Sequence, residues 1–243
     1  MRNIWLIARR EYHHYFISPI AYAVAFAILL ILGIIFYANI VGAMLQQIAP
    51  GMEIVFGPLV SLLIFTTPAI TMRSIAEENK MGTLELLLTA PVRDWEIILG
   101  KWLGGFLFLG TVLLATWLYP IVLNQLVSPG IEQGVLVSGY LGIVMMSAAI
   151  IAIGVATSSL FGNQIAAFFA TEGILLLLWV IGAPSQAMGM MGGSLLRYLD
   201  MSEHFYPTFY RGIVEVQDII YFLSLTFLAL FIGKISIEVR RWR

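Results

Sequence analysis

The chain has 243 residues, 60% of them hydrophobic and only 11% charged, with a formal net charge of −1 and a mean hydropathy of +0.93. Soluble domains carry about 25% charged residues, so a soluble globular fold is excluded, and with no basic stripe nucleic acid is excluded as a partner. No cysteine is present, which removes disulfides, thiolate chemistry and cysteine-ligated metals. Several apolar runs reach the roughly 20 residues a helix needs to cross the hydrocarbon core, so the fold class is all-α integral membrane.

Residues 1–18 predict an amphipathic helix. Trp5, Ala8, Tyr12, Tyr15 and Phe16 recur at helical spacing on one face, while Arg2, Arg9 and His13 fall on another. The pattern predicts a helix lying in the membrane interface, aromatics among the headgroups and cations outward. The segment lacks the short apolar core of a cleaved signal peptide, so the first span is expected to act as the insertion signal. Ser18-Pro19 ends the helix. His13 and His14 have no further ligands nearby and do not make a metal site.

Six spans follow in chain order, at Ile20–Val41, Ile54–Met72, Ile97–Leu123, Val135–Ser158, Ala166–Ala183 and Ile219–Ile237. One set of connections receives Arg2, Arg9, Arg10, Arg73, Lys80, Arg93, Lys101, Lys234, Arg240, Arg241 and Arg243; the other receives Arg197 and Arg211. The excess of basic residues marks the cytoplasmic side, which predicts cytoplasmic termini. Between the fifth and sixth spans, residues 184–218 hold apolar clusters at Met188–Met191, Leu195–Leu199 and Phe205–Tyr210. These are too short to span and too apolar for a solvated loop, so they predict short external re-entrant helices before the last span. With no repeat or boundary signal, residues 1–243 read as one transmembrane domain.

The most informative stretch lies between the second and third spans. Met72 to Trp102 holds nine charged residues between two long apolar runs. Within it, Glu77 and Glu78 lie near Lys80, Gly82 caps or breaks that turn, and Thr83 caps a new short helix over Leu84 to Thr89. Leu84, Leu87 and Leu88 share a face suited to a groove, Glu85 and Thr89 lie elsewhere on the turn, and Pro91 stops the helix. Lys101 is placed to snorkel to the headgroups. A short cytoplasmic helix tied to spans at both ends suits the passing of a push from a partner into the bundle.

These residues resemble the ABC-2 type permeases, the membrane subunits of a class of ATP-binding-cassette exporters. The family pattern is matched by Arg73-Ser74, Ala76, Glu78, Gly82-Thr83, Glu85, Leu87-Leu88, Pro91 and Gly100-Lys101. The resemblance covers nearly the whole chain. Tyr15–Tyr22, Asn163-Gln164 with Ala167, His204-Phe205, Phe209, Arg211-Gly212, Asp218 and Tyr221-Phe222 are similar to the gliding-motility (GldF-like) branch. Phe161-Gly162 and Glu172 depart from its pattern.

The resemblance implies a dimer of six-span subunits, formed by two copies or by a related permease, in the plasma or inner membrane of a prokaryote. Two separate ATPase subunits, carrying ATP and Mg, dock beneath it. Residues 1–18 would then be a connecting helix and 73–96 the coupling segment, with Glu78, Gly82, Thr83, Glu85, Leu87, Leu88 and Pro91 as coupling residues. An accessory extracytoplasmic subunit is also compatible. No phosphate-loop motif is present, and Gly100-Lys101 has Trp95 where the first glycine is required, so this chain is expected to hold no cofactor and to be no enzyme itself. A scaffold that passes ATPase strokes to an extracytoplasmic machine, without transporting, is the alternative reading.

Glu172 is the only acid deep in a span, where a carboxylate costs roughly 2.5–3.5 kcal/mol; it is read either as a functional intramembrane polar site or as hydrogen-bonded to a neighbouring hydroxyl or carbonyl. Ser194, Asp200 and His204 invite a hydrolase reading, but Gly192-Gly193-Ser194-Leu195 is not a nucleophile elbow. Arg197 and Arg211 are expected to pair with Asp200, Glu203, Glu215 or Asp218. Ser147, Ala148, Ala149, Ala152, Gly154 and Ala156 are expected to let helices approach closely.

Overall fold

The computed structural model describes residues 2–83, 92–186 and 190–241, and all regular structure among them is helical. In chain order the helices are α1 (Arg2–Tyr15), α2 (Pro19–Gln46), α3 (Glu53–Thr71), α4 (Ala76–Lys80), α5 (Asp94–Thr116), α6 (Leu118–Leu126), α7 (Gln133–Leu160), α8 (Gln164–Val180), α9 (Met190–Leu199) and α10 (Val216–Arg241). Among the described residues, five stretches are long and apolar enough to cross a membrane: Pro19–Gln46, Glu53–Lys80, Asp94–Leu126, Gln133–Leu160 and Val216–Arg240. The apolar helix α8 has 17 residues, about 26 Å at ~1.5 Å per residue, slightly short of a hydrocarbon core of about 30 Å.

The third apolar stretch is continuous in the sequence but broken in the structure. Pro120 has no N–H for the Thr116 carbonyl one turn back. The Thr116 hydroxyl in turn takes the Leu113 carbonyl at 2.7 Å, and Trp117 N–H bonds Leu114 O at 3.2 Å instead. The helix therefore stops at Thr116 and restarts at Leu118.

Helix α7 is the axis of the bundle, with 72% of its apolar window buried. Its small residues make this possible. A Cβ on Gly139 would lie 2.2 Å from the Phe56 ring, and one on Gly154 would lie 2.1 Å from Thr71 Oγ1, so α3 packs at a distance that larger residues forbid. Among the described residues, Ala149, Ile150, Ile151 and Ala152 are wholly buried on this helix.

The bundle has two distinct ends. At one, Ser158 Oγ donates to Met72 O at 3.1 Å, Ser236 Oγ donates to Ser159 O at 2.8 Å, Arg240 reaches Leu160 O at 3.3 Å, and Asn3 reaches Glu96 at 3.1 Å. The first helix and the close of α10 thus lie together with the basic residues. At the other, Met201 N–H bonds Leu178 O at 2.8 Å and Ser138 bonds Phe209 O at 2.9 Å. Helix α8 runs between these ends.

The segment between α8 and α10 folds into α9 and 3-10 turns at Ala183–Gln186, Ser202–His204 and Phe209–Arg211. Phe205 and Phe209 are fully buried, the latter seated against Gly142, where a Cβ would lie 2.6 Å from the ring. The expected arginine pairs do not form: neither Arg197 nor Arg211 is in an ion pair among the described residues. Asp200 instead accepts from Gly182 N, Ser202 N and the Ser202 hydroxyl at 3.0, 2.8 and 2.6 Å. Buried Asp218 pairs with His204 Nδ1 at 2.7 Å, while His204 Nε2 faces Tyr198 O at 2.9 Å. With His204 committed to Asp218 and stacked on Tyr221 at 3.9 Å, the hydrolase constellation is not assembled.

Candidate functional site: a buried charge node beside the 84–91 segment

The site is built where α3 leaves the bundle. After Thr71 the chain turns sharply, and the turn is held from α7: Ser158 Oγ accepts from Ile75 N and Ala76 N, each at 3.0 Å, and donates to Met72 O. Ser158 is wholly buried, so one hydroxyl satisfies three backbone groups that would otherwise be orphaned at a helix end. Helix α4 follows and presents Glu77 and Glu78.

Gly82 closes α4 at φ +69°, the left-handed region that glycine enters without a Cβ penalty. Its N–H bonds Asn79 O at 3.2 Å and Thr83 N–H bonds Glu78 O at 3.0 Å, which together make a Schellman closure. The Thr83 hydroxyl turns back to Glu78 O at 3.3 Å. Glu85, Leu87, Leu88 and Pro91 lie outside the described residues. The chain resumes at Val92, and Glu96 caps the start of α5 by accepting Arg93 N–H at 3.0 Å.

Helix α1 lies along the first half of α5 rather than presenting one aromatic stripe to lipid. Two glycines set one turn apart on α5 create the bed. A Cβ on Gly100 would meet Ile7 at 2.6 Å, and one on Gly104 would meet Glu11 Cβ at 2.6 Å and Ala8 O at 3.0 Å. Ala8 is wholly buried. Tyr12 bonds Thr111 at 3.1 Å, and Tyr15 stacks on Phe108 with centroids 5.0 Å apart. Trp5 remains exposed.

That close approach drops Lys101 beneath α1. The sequence predicts a lysine that snorkels to the headgroups, whereas in the structure its side chain is 1% exposed. Its ammonium sits 3.0 Å from Glu11 Oε1, 3.0 Å from Glu78 Oε1 and 2.6 Å from Ser74 O. Arg10 closes the cluster from the surface, 3.1 Å from Glu11 and 3.2 Å from Glu78. Two cations and two carboxylates from α1, α4 and α5 therefore compensate one another. Burial alone would raise the Glu11 carboxyl, but the Lys101 ammonium and Arg10 outweigh it and hold it below its ordinary value of 4.5.

Of the coupling residues read from the sequence, Glu78 lies on α4 and Gly82 and Thr83 form the closure just beyond it. Glu172 stands apart on α8: both its carboxylate oxygens are shielded and have no hydrogen-bond partner among the described residues, and the hydroxyl of Thr171 beside it bonds Thr157. The sequence does not single out Glu11 or Ser158, and it marks Lys101 for the headgroups rather than for a buried pair. The legible signal was the Gly100/Gly104 pair, which marks a helix laid closely on its neighbour. Ser158 carried no comparable signal.

Fold and site together define a multi-pass α-helical membrane protein with a four-residue charge cluster at one end of the bundle. The profile described as ABC-2 family transporter protein matches residues 52–233, well over half of the chain, and the chain belongs to that family. It is therefore a permease component of an ABC transporter, a membrane subunit that associates with ABC ATPase subunits, on which the ATPase activity normally resides. No curated protein matches the chain. The matched region begins after α2, so Glu78 and Lys101 fall within it while Arg10 and Glu11 do not.

Proposed function

We propose that this chain is the transmembrane half of an ATP-driven exporter that receives the ATPase stroke through residues 73–96. Two copies, six spans each, enclose the pathway; α8 is the fifth span. The basic end, with both termini, faces the cytoplasm of a prokaryotic cell. Two ATPase subunits dock there and hold ATP and Mg, with Glu85, Leu87, Leu88 and Pro91 as the contact surface. An accessory extracytoplasmic subunit fits the opposite end.

The observation that carries this reading is the node itself. A flexible loop would absorb a push, whereas both approaches to residues 84–91 are fixed. On one side stand the Schellman closure, the Ser158 latch and the Glu78–Lys101 pair; on the other stands the Glu96 cap. Displacement of α4 therefore carries α1 and α5 with it through Lys101, and α7 through Ser158. Packed interfaces of this kind switch between arrangements rather than deforming continuously.

Co-purification with candidate ATPase chains tests the reading. The wild type is expected to retain an ATPase, and Glu85→Arg is expected to lose it. Lys101→Met is expected to keep the ATPase bound while uncoupling hydrolysis from transport. Retention of the ATPase by Glu85→Arg would overturn the docking assignment.

A further inference from the structure

Beside the node, α1, the start of α2, the end of α3 and α4 bound a groove of about 940 Å³. Its fixed charges balance: Arg10, Arg73 and Lys101 against Glu11, Glu77 and Glu78. Four of these neutralise one another in the node. What remains of the permanent charge is one cation and one anion, with His13 and His14 also in the lining. Arg73 and Glu77 sit one turn apart, joined by the Glu77 N–H to Arg73 O bond at 3.4 Å, yet they form no ion pair with each other. Neither side chain has a partner among the described residues, and Arg73 Nε is shielded from solvent as well as unpartnered. Between them Ser74, 6% exposed, lines the same groove with its hydroxyl unpartnered. Ile20 and Ile70, at the ends of the first two spans, give the groove an apolar wall, and the exposed Ile17 lines it as well.

We propose that this groove binds a zwitterionic aminophospholipid, its phosphate on Arg73 and Ser74, its primary ammonium on Glu77 and an acyl chain along Ile20 and Ile70. The charge balance selects the headgroup. An anionic lipid would satisfy Arg73 but set its phosphate against Glu77. A cationic ligand would leave Arg73 orphaned. A guanidinium presents a fork of donors that matches a phosphate, and a primary ammonium offers the N–H donors to a carboxylate that a quaternary one lacks. The apolar wall favours a lipid over a free phosphoester. The inference requires only that this end of the bundle meets a membrane surface, and it stands independently of the direction of transport.

The test is native mass spectrometry of the full chain released from nanodiscs containing equal amounts of phosphatidylethanolamine, phosphatidylcholine and phosphatidylglycerol. Phosphatidylethanolamine should be retained over the other two. Arg73→Gln and Glu77→Gln should each lower its retention about fivefold, the factor for one interfacial charge–headgroup contact, while Arg211→Gln at the opposite end changes nothing. Ala69→Trp, which fills the groove with both charges intact, should expel the lipid and stands in if a charge variant fails to fold. Equal retention of phosphatidylglycerol, or indifference to Glu77→Gln, would overturn the zwitterionic assignment. Equally strong displacement by free phosphoethanolamine would overturn the lipid and leave a soluble phosphoester.

Discussion

Replacing Lys101 by Met tests the node most directly. Methionine fills a comparable volume but removes the ammonium that lies 3.0 Å from two carboxylates. Stripping one partner from a buried ion pair costs about 3–5 kcal/mol, because a charge is left without compensation. Arg10 still stands 3.1 and 3.2 Å from the same carboxylates, but its side chain is 57% exposed and compensates weakly. The low end of the range follows, about 3 kcal/mol. For a chain of this size that lowers the melting temperature by roughly 6–12 °C, measured by tryptophan fluorescence in nanodiscs. Arg10→Ala, at the solvated rim, should cost about 1 kcal/mol or less. Neutralising the three shielded members with Glu11→Gln, Glu78→Gln and Lys101→Met together should recover most of the loss, since the one charge left, Arg10, is 57% exposed and solvated. If the triple variant is no better than Lys101→Met alone, the cost comes from packing and the electrostatic account is wrong.

Other expectations follow from the same structure. Ser158→Ala strands two buried amides of the Met72–Ala76 turn and should cost about 1–3 kcal/mol, with faster hydrogen exchange at Ile75 and Ala76 as the local readout. Because Glu11 is held below its ordinary 4.5, its contribution is complete above that pH and disappears as pH falls through the lowered value; acid titrations of wild type and Glu11→Gln should therefore differ at neutral pH and converge in strong acid. Gly154→Ala forces a Cβ to within 2.1 Å of Thr71 Oγ1 and should destabilise by about 1–3 kcal/mol, whereas Gly173→Ala, with nothing within 4 Å, should be neutral or stabilising by up to about 1 kcal/mol; unfolding midpoints separate the two. His204→Phe strands buried Asp218 and should cost about 3 kcal/mol, read as a lower midpoint that Asp218→Leu in the same chain largely restores.

What the sequence by itself determined is what depends on composition and local chemistry. Runs of apolar residues define helices wherever they reach the thickness of a bilayer. Gly82 can end α4 because only a residue without a Cβ enters the left-handed region freely, and its neighbours do not alter that. The island from Met72 to Trp102 was legible because charge is conspicuous in an apolar chain. Tertiary structure decided the rest. Lys101 reads as a snorkelling lysine until α1, more than 80 residues earlier in the chain, is laid across Gly100 and Gly104 and seals it from solvent. Arg197 and Arg211 read as partners for nearby acids, yet Asp200 and Asp218 go to backbone amides and His204, because a buried carboxylate takes whichever donors the fold places within reach. Ser158 becomes a latch only when the end of α7 meets the end of α3. Local signals fix where helices begin and end, but charge pairing and burial depend on which helices meet, and that is a property of packing rather than of spacing along the chain.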